Sequence, residues 1–281
     1  MAAPTQPGWE SFSTDTVQAA GLQSVTVDVD ADATVQTESN SSSSASADNV
    51  TGDSGAVSTT TFNTGLQGSS SFEVEADAGI QGLAGTAASS SASTSKGAAK
   101  AVTELGDSAG IKEVSSLEVG GELSALGQSI NSLSADAESV VGRAIGTSKL
   151  SSMVEGFEAS QIDVSSDAGI QGLAQLDNSA SAETTNGLST ATARVTELQG
   201  ADLSGLEVGG VASVTGQASL TNAAASSNVE GGASTAKSTL IDADGLFAND
   251  DAVGTSTGVG VSSDGTLTGL ASISNSASAE S

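Results

Sequence analysis

Apolar and polar residues alternate strictly over several stretches of this chain, which is typical of strands with one buried face. From residue 25 to residue 35, valine and alanine occupy the odd positions, and threonine and aspartate occupy the even ones. The same period of two recurs at residues 72–80 and 162–170. Serine and alanine alternate at residues 44–47, 89–93, 179–182 and 276–279, where small side chains would let two sheets or two chains approach closely. The pattern predicts an all-β protein.

The strand pattern recurs along the whole chain in units of about 45 residues. Copies begin at Val27, Phe72, Leu117, Ile162, Leu206 and Val259, separated by 45, 45, 45, 44 and 53 residues. A valine lies two residues after each start, and glycines recur at two positions: Gly52, Gly97, Gly142, Gly187 and Gly231, and Gly82, Gly127, Gly172, Gly216 and Gly269. Such repeats are typical of arrays in which each unit buries its apolar face against its neighbours.

The fold class follows from the requirement that all copies share one backbone path. One segment also fits a helical spacing of three and four, at Leu123, Leu126, Ile130, Leu133, Ala137 and Val140. The equivalent stretch after Val211 does not keep this spacing, so we interpret the segment as a strand. We therefore predict tandem strand repeats in a β-solenoid-like or stacked-strand array. The alternative is a six-bladed β-propeller with a split last blade, but aromatic residues are only 2% of the chain and blades normally carry bulky residues.

The N-terminal segment differs from the repeats. Both prolines, Trp9 and Phe12 fall within the first sixteen residues. We interpret residues 1–16 as an N-terminal arm or cap and residues 17–281 as the repeat array. Trp9 and Phe12 would cover the end of the array or anchor an interface with a partner subunit, since aromatic anchors are favoured in interfaces. Residues 21–23 also echo residues 65–67, so the head of one subunit could complete the tail of the next.

The composition of the chain argues against several classes of binding partner and of catalytic or metal site. The net charge of −27 opposes binding to nucleic acid or to an anionic membrane, and we expect neither as a partner. The chain has no cysteine, histidine or tyrosine, which removes disulfides, thiol nucleophiles, the usual zinc sites and the commonest general base. We therefore expect a non-enzymatic protein without a catalytic or cofactor-binding site. No signal peptide or membrane span is readable.

Carboxylates recur in register on the strand face opposite the valines. One acidic column comprises Asp32, Asp77, Glu122, Asp167 and Asp264, and a second comprises Asp28, Glu73, Glu118, Asp163 and Glu207. If equivalent strands lie directly beside one another, like charges stack about 4.8 Å apart, with roughly 3 kcal/mol of repulsion per pair at an effective dielectric of about 20. Either the carboxylates face water on strands held further apart by intervening rungs, or cations such as calcium lie between them. The first column is thus the candidate cation ladder.

The Ser-Ala-Ser-Ala phrases, the glycine-rich strand repeats and the acidic, lysine-poor composition resemble structural proteins of tailed-phage virions, particularly those of marine cyanobacteria. The resemblance implies a homo-oligomeric appendage, fibre or capsid-decorating protein that contacts other virion proteins and is released by lysis. It would thereby reach the virion without a signal peptide. The alternative is an adhesin or filament subunit on a bacterial surface. Either protein would use repeated strands to build an elongated body.

Overall fold

The computed structural model describes residues 11–248, 259–261 and 264–281, and its secondary structure is entirely β. The strands are β1 Ser11–Gln23, β2 Thr26–Val29, β3 Ala33–Asn49, β4 Ser54–Val74, β5 Ala78–Val119, β6 Leu123–Leu150, β7 Met153–Ala159, β8 Ile162–Val164, β9 Ala168–Leu203, β10 Leu206–Val208, β11 Ala212–Asn228, β12 Gly232–Ala248, β13 Val259–Val261 and β14 Gly265–Glu280. The long strands β4, β6 and β9 each pass through one corner of the fold without interruption, and β5 passes through two. The prediction of an all-β array is confirmed.

Successive repeats pair as parallel neighbours in the register that the sequence alignment predicts. The second apolar position of each repeat pairs with its equivalent in the next, in the column Val35, Ile80, Ala125, Ile170, Val214 and Leu267. Each repeat is therefore one rung of a parallel β-solenoid. Blades of a propeller are antiparallel sheets formed within a repeat, so the propeller alternative is wrong.

Each rung has three sides, which build three parallel sheets. Sheet A contains residues 33–49, 78–94, 123–139, 168–184, 212–228 and 265–280. Sheet B contains residues 11–23, 54–67, 99–112, 144–157, 189–203 and 232–248. The short sheet contains residues 26–29, 71–74, 117–119, 162–164, 206–208 and 259–261. Sheets A and B pack face to face, and the short sheet closes one end of each rung.

The core is thick at the closed end, continues into a cluster of mainly leucine and valine between sheets A and B, and is thin toward the corner that joins those sheets. Beside the short sheet, large side chains such as Phe72, Leu117 and Phe157 form one buried cluster. Between sheets A and B, most buried side chains are small, and one cluster consists of alanines alone. The serine–alanine segments at residues 44–47, 89–93 and 179–182 supply part of sheet A's side of that cluster, so their small side chains do allow two sheets to approach closely. The segment at residues 276–279 lies on the exposed strand β14.

Both recurrent glycines have a structural reason. Gly52, Gly97, Gly142 and Gly187 lie at the corner between sheets A and B with φ between 109° and 154°, a region that favours glycine. In the fifth copy the equivalent residue is Gly232, which pairs with Gly187, and not the predicted Gly231. The second set lies where the two sheets approach most closely. A Cβ on Gly172 of sheet A would lie 2.0 Å from the carbonyl oxygen of Gly200 in sheet B, and a Cβ on Gly127 would lie 2.1 Å from that of Gly156.

Two expectations about element boundaries change. The predicted strand at residues 25–35 is divided by a corner at residues 30–32 into β2 and β3, although its alternation continues through the corner. Residues 11–16, which we assigned to the arm, lie in β1 and pair with β4 as part of the array. The segment with helical spacing is strand β6, and three of its six apolar residues point into the core, namely Leu123, Leu133 and Ala137.

The molecule is wider along its strands than along its stacking axis. Six rungs at about 4.8 Å each span roughly 29 Å, whereas a 17-residue strand of sheet A spans roughly 55 Å. A single chain is therefore a flat slab. An elongated body along the stacking axis requires more than the six rungs that the structure describes.

Candidate functional site

The candidate cation ladder lies at the corner between the short sheet and sheet A. Asp32, Asp77, Glu122 and Asp167 line a shallow groove of about 550 Å³ across successive rungs. Asp264 lies in the same column and its backbone oxygen accepts a hydrogen bond from the Ala212 N–H at 2.9 Å. The structure thus brings the five predicted residues into one column.

Carboxylates of this column accept hydrogen bonds from the turn of the next rung. The Oδ1 atom of Asp77 accepts from the backbone N–H of Glu122 at 2.9 Å, and that of Asp167 accepts from Val211 at 2.8 Å. Asp32 Oδ1 accepts from the Asp77 N–H at 3.3 Å. Each of these bonds stabilises a turn by charge-assisted hydrogen bonding to a neighbouring rung.

The second acidic column runs along the outer face of the short sheet. Asp28, Glu73, Glu118, Asp163 and Glu207 are exposed and pair directly from rung to rung. The expectation that intervening rungs separate equivalent strands is therefore wrong. Within the described residues, no group of three or more acidic side chains lies close enough together to hold a metal ion.

An acidic residue that sequence reasoning did not single out is buried in sheet B. Glu155 of β7 pairs with Ala109 and Gln199 on either side, and its exposed fraction is 0%. Residues 154–157 are buried on both faces of the strand. Neither carboxylate oxygen of Glu155 accepts a hydrogen bond from a protein group. A charged carboxylate in this position would be strongly destabilised.

Burial and the nearby charges raise the pKa of Glu155. Burial, followed by the negative charge of Glu158, raises the pKa of Glu155 to about 9, and Lys112 offsets this only in part. Lys112 is already engaged in an ion pair with Asp107. Burial also raises the pKa of Asp202. At neutral pH the Glu155 carboxyl is therefore protonated, and because it is closed to solvent it offers no surface to a substrate in this structure.

A ladder of asparagine side chains crosses the rungs between sheets A and B. Asn178 Nδ2 donates to Asn222 Oδ1 at 2.8 Å, and Asn222 Nδ2 donates to Asn275 Oδ1 at 3.0 Å. Asn222 also donates to the backbone oxygen of Thr239 at 3.1 Å, which links the two sheets. The signal in the sequence is an asparagine at the same repeat position in three consecutive copies. Buried amides satisfied in this way specify register.

The proposed aromatic interface is described only at one of its two residues. Phe12 lies in β1, half-buried, and pairs with Gly55 on β4. Trp9 lies outside the described residues. The structure therefore places Phe12 at the outer strand of sheet B and leaves its expected contact with a partner subunit as a prediction.

Comparisons with known family models, with curated proteins and with solved structures found no match to this chain. None of the described residues belongs to a helix that could cross a membrane.

Proposed function

We propose that this protein is a non-enzymatic structural subunit of a viral or extracellular assembly, such as a virion appendage, fibre or capsid-decorating protein. The observation that carries the proposal is the shortness of the connections. From β1 to β12, consecutive strands are joined by only two to four residues. Binding and catalytic residues are concentrated on longer loops, so this part of the chain is devoted to the scaffold.

The positions of the acidic side chains also support a structural role. Acidic side chains are repeated along columns on the outer face instead of converging in a cleft, and they keep the surface soluble. Continuous backbone pairing between rungs protects a chain from proteases because cleavage requires local opening. A homo-oligomer in the virion, in contact with other structural proteins, is the assembly that we propose.

Immunogold electron microscopy of the native source tests this proposal. We expect an antibody against the purified chain to label an assembled external structure, and the label should co-sediment with virions in a density gradient. Label on bacterial surface filaments would instead support the adhesin or filament alternative. Recovery of the protein only as a free species in the soluble cell fraction would contradict a structural role.

A further inference from the structure

The two ends of the described array have complementary steps. We define the tail end as β12, β13 and β14, and the head end as β1, β2 and β3. At the tail end, sheet A extends a fraction of a rung beyond sheet B, because β14 pairs with β11 and follows β12 along the coil. At the head end, sheet B extends a fraction of a rung beyond sheet A, because β1 pairs with β4 and precedes β3. Along the chain, both ends contain a strand of sheet B, then one of the short sheet, then one of sheet A. A head end could therefore follow a tail end without a break in this order.

Apolar side chains are exposed at the tail end. Leu267 is 48% exposed and Ile273 is 49% exposed, whereas their equivalents in the preceding rung, Val214 and Leu220, are 0% and 2% exposed. The difference arises because β11 has a neighbouring strand on both sides and β14 has one on a single side among the described strands. An exposed strand edge with apolar residues is a site for strand addition.

We infer that the tail end binds the head end of a second copy of this chain, in the register that already joins rung to rung. Sheet A would continue from β14 to the second copy's β3, and sheet B would continue from β12 to its β1. This proposal rests on the proposed structural function and names the partner and the contact surface. It also supplies the length along the stacking axis that a single chain lacks.

Several inward side chains on the two edges match in this register, whereas Ile273 would lie beside Ser41. The repeat alignment places Leu267 beside Val35, Ala277 beside Ala45 and Ala279 beside Ala47 in sheet A. In sheet B it places Leu240 beside Val17, Ala243 beside Ala19 and Leu246 beside Leu22. Each pair joins apolar residues of the kind already stacked within the subunit, so the contact continues the existing core.

The asparagine ladder offers a specific polar contact at the same place. Asn275 Oδ1 accepts from Asn222, and the Asn275 amide can donate a further hydrogen bond toward the next rung. Asp15 of the second copy would lie one rung beyond Ser238, which itself contacts Asn275. In a single copy the Asp15 carboxylate accepts from the Ser44 N–H at 2.8 Å. An inward carboxylate discourages unrelated strands from adding to an edge.

One substitution and a matched control test the interface. Ile273→Glu places a charge on the inward face of β14, where it is half-exposed in one chain and would be buried between stacked copies. Ser274→Glu adds the same charge to the outward, exposed face of the same strand. Circular-dichroism melting curves of the parent and both variants establish that each chain folds.

Sedimentation velocity and negative-stain electron microscopy over a concentration series give the result. We expect the parent and Ser274→Glu to form stacks whose length grows with concentration, and Ile273→Glu to remain a monomer. A parent that is monomeric at every concentration, or stacks that survive Ile273→Glu, would overturn the inference. Neither outcome changes the proposed structural role, which is judged separately by where the antibody labels the native source.

Discussion

Glu155 is the residue whose environment differs most from that of the other carboxylates. It lies between buried neighbours in β7, and its pKa of about 9 reflects burial first and the nearby Glu158 second. The unfolded chain releases this proton near pH 4.5, the ordinary value for glutamate. Between these two values the folded state holds a proton that the unfolded state has lost. Glu155 therefore favours the folded state most below pH 4.5, and this advantage falls as pH rises toward 9.

Replacing Glu155 by glutamine should flatten the dependence of stability on pH. We expect the free energy of unfolding of the parent to fall by up to about 1.4 kcal/mol per pH unit between pH 5 and 8 because of this one group. Glu155→Gln should lose most of that slope and melt at a higher temperature than the parent at pH 8. Melting curves across this pH range measure both effects.

Glu230→Gln is the control for this prediction, since it removes an exposed carboxylate at the turn before β12. It should keep the pH slope of the parent. A Glu155→Gln variant with the parent's slope would show that the buried carboxyl is not the source of the pH dependence.

Sequence reasoning predicted one of these acidic sites and missed the other for a physical reason. The column from Asp32 to Asp264 was predictable because its members occupy the same repeat position and the register is fixed. Glu155 shares its position with Thr64, Ala109, Gln199 and Asp244, which form no pattern. The position is buried in the neighbouring rungs too, at Thr64, Ala109 and Gln199, but the different chemistry of these residues hides that from the sequence pattern.

At the scale of the strands, glycine sets the distance between sheets A and B. Gly172 and Gly200 bring two backbones into contact, and equivalent glycines do so in neighbouring rungs. Large side chains such as Leu176 and Leu198 pack beside this contact, and the alanine part of the core lies further along, toward the corner between sheets A and B. Alternation alone does not reveal the close approach, but the recurrence of glycine at a fixed repeat position does mark it.

Gly172→Ala should destabilise the array, whereas Gly169→Ala on the same strand should not. The new methyl group at residue 172 would lie 2.0 Å from a backbone oxygen, and relieving this overlap should cost about 1–3 kcal/mol. At residue 169 the nearest atom is 3.8 Å away, and alanine there should be neutral or stabilising by up to about 1 kcal/mol. Urea unfolding of the two variants measures the difference. Equal stability would contradict the close packing of the two sheets.

Two further features of the strands, the boundary between β2 and β3 and the packing of β6, could not be predicted from a single segment of sequence. Alternation continues through the corner at residues 30–32, so the division into β2 and β3 was not visible. The helical spacing in β6 came from residues on both faces of a strand, since Ile130 and Val140 are exposed while Leu133 is buried. A period of three or four arises by coincidence when apolar residues occupy both faces. Comparison with the equivalent stretch after Val211, which lacks this spacing, is what identified the segment as a strand.

At the scale of the whole molecule, the central claim is that consecutive repeats lie side by side, 45 residues apart, as parallel rungs. The chain contains no cysteine, so cysteines introduced at chosen positions are the only sites that a spin label modifies, and no native cysteine has to be removed first. Ser132 and Asp177 are exposed and pair directly between β6 and β9. Their Cα atoms should be about 5 Å apart.

The most direct measurement is the electron paramagnetic resonance spectrum of the double variant Ser132→Cys, Asp177→Cys, labelled with nitroxides at both sites. The account predicts strong dipolar broadening relative to the two singly labelled variants, with all three chains folded by circular dichroism. A double-label spectrum equal to the sum of the single-label spectra would contradict the in-register stacking of repeats.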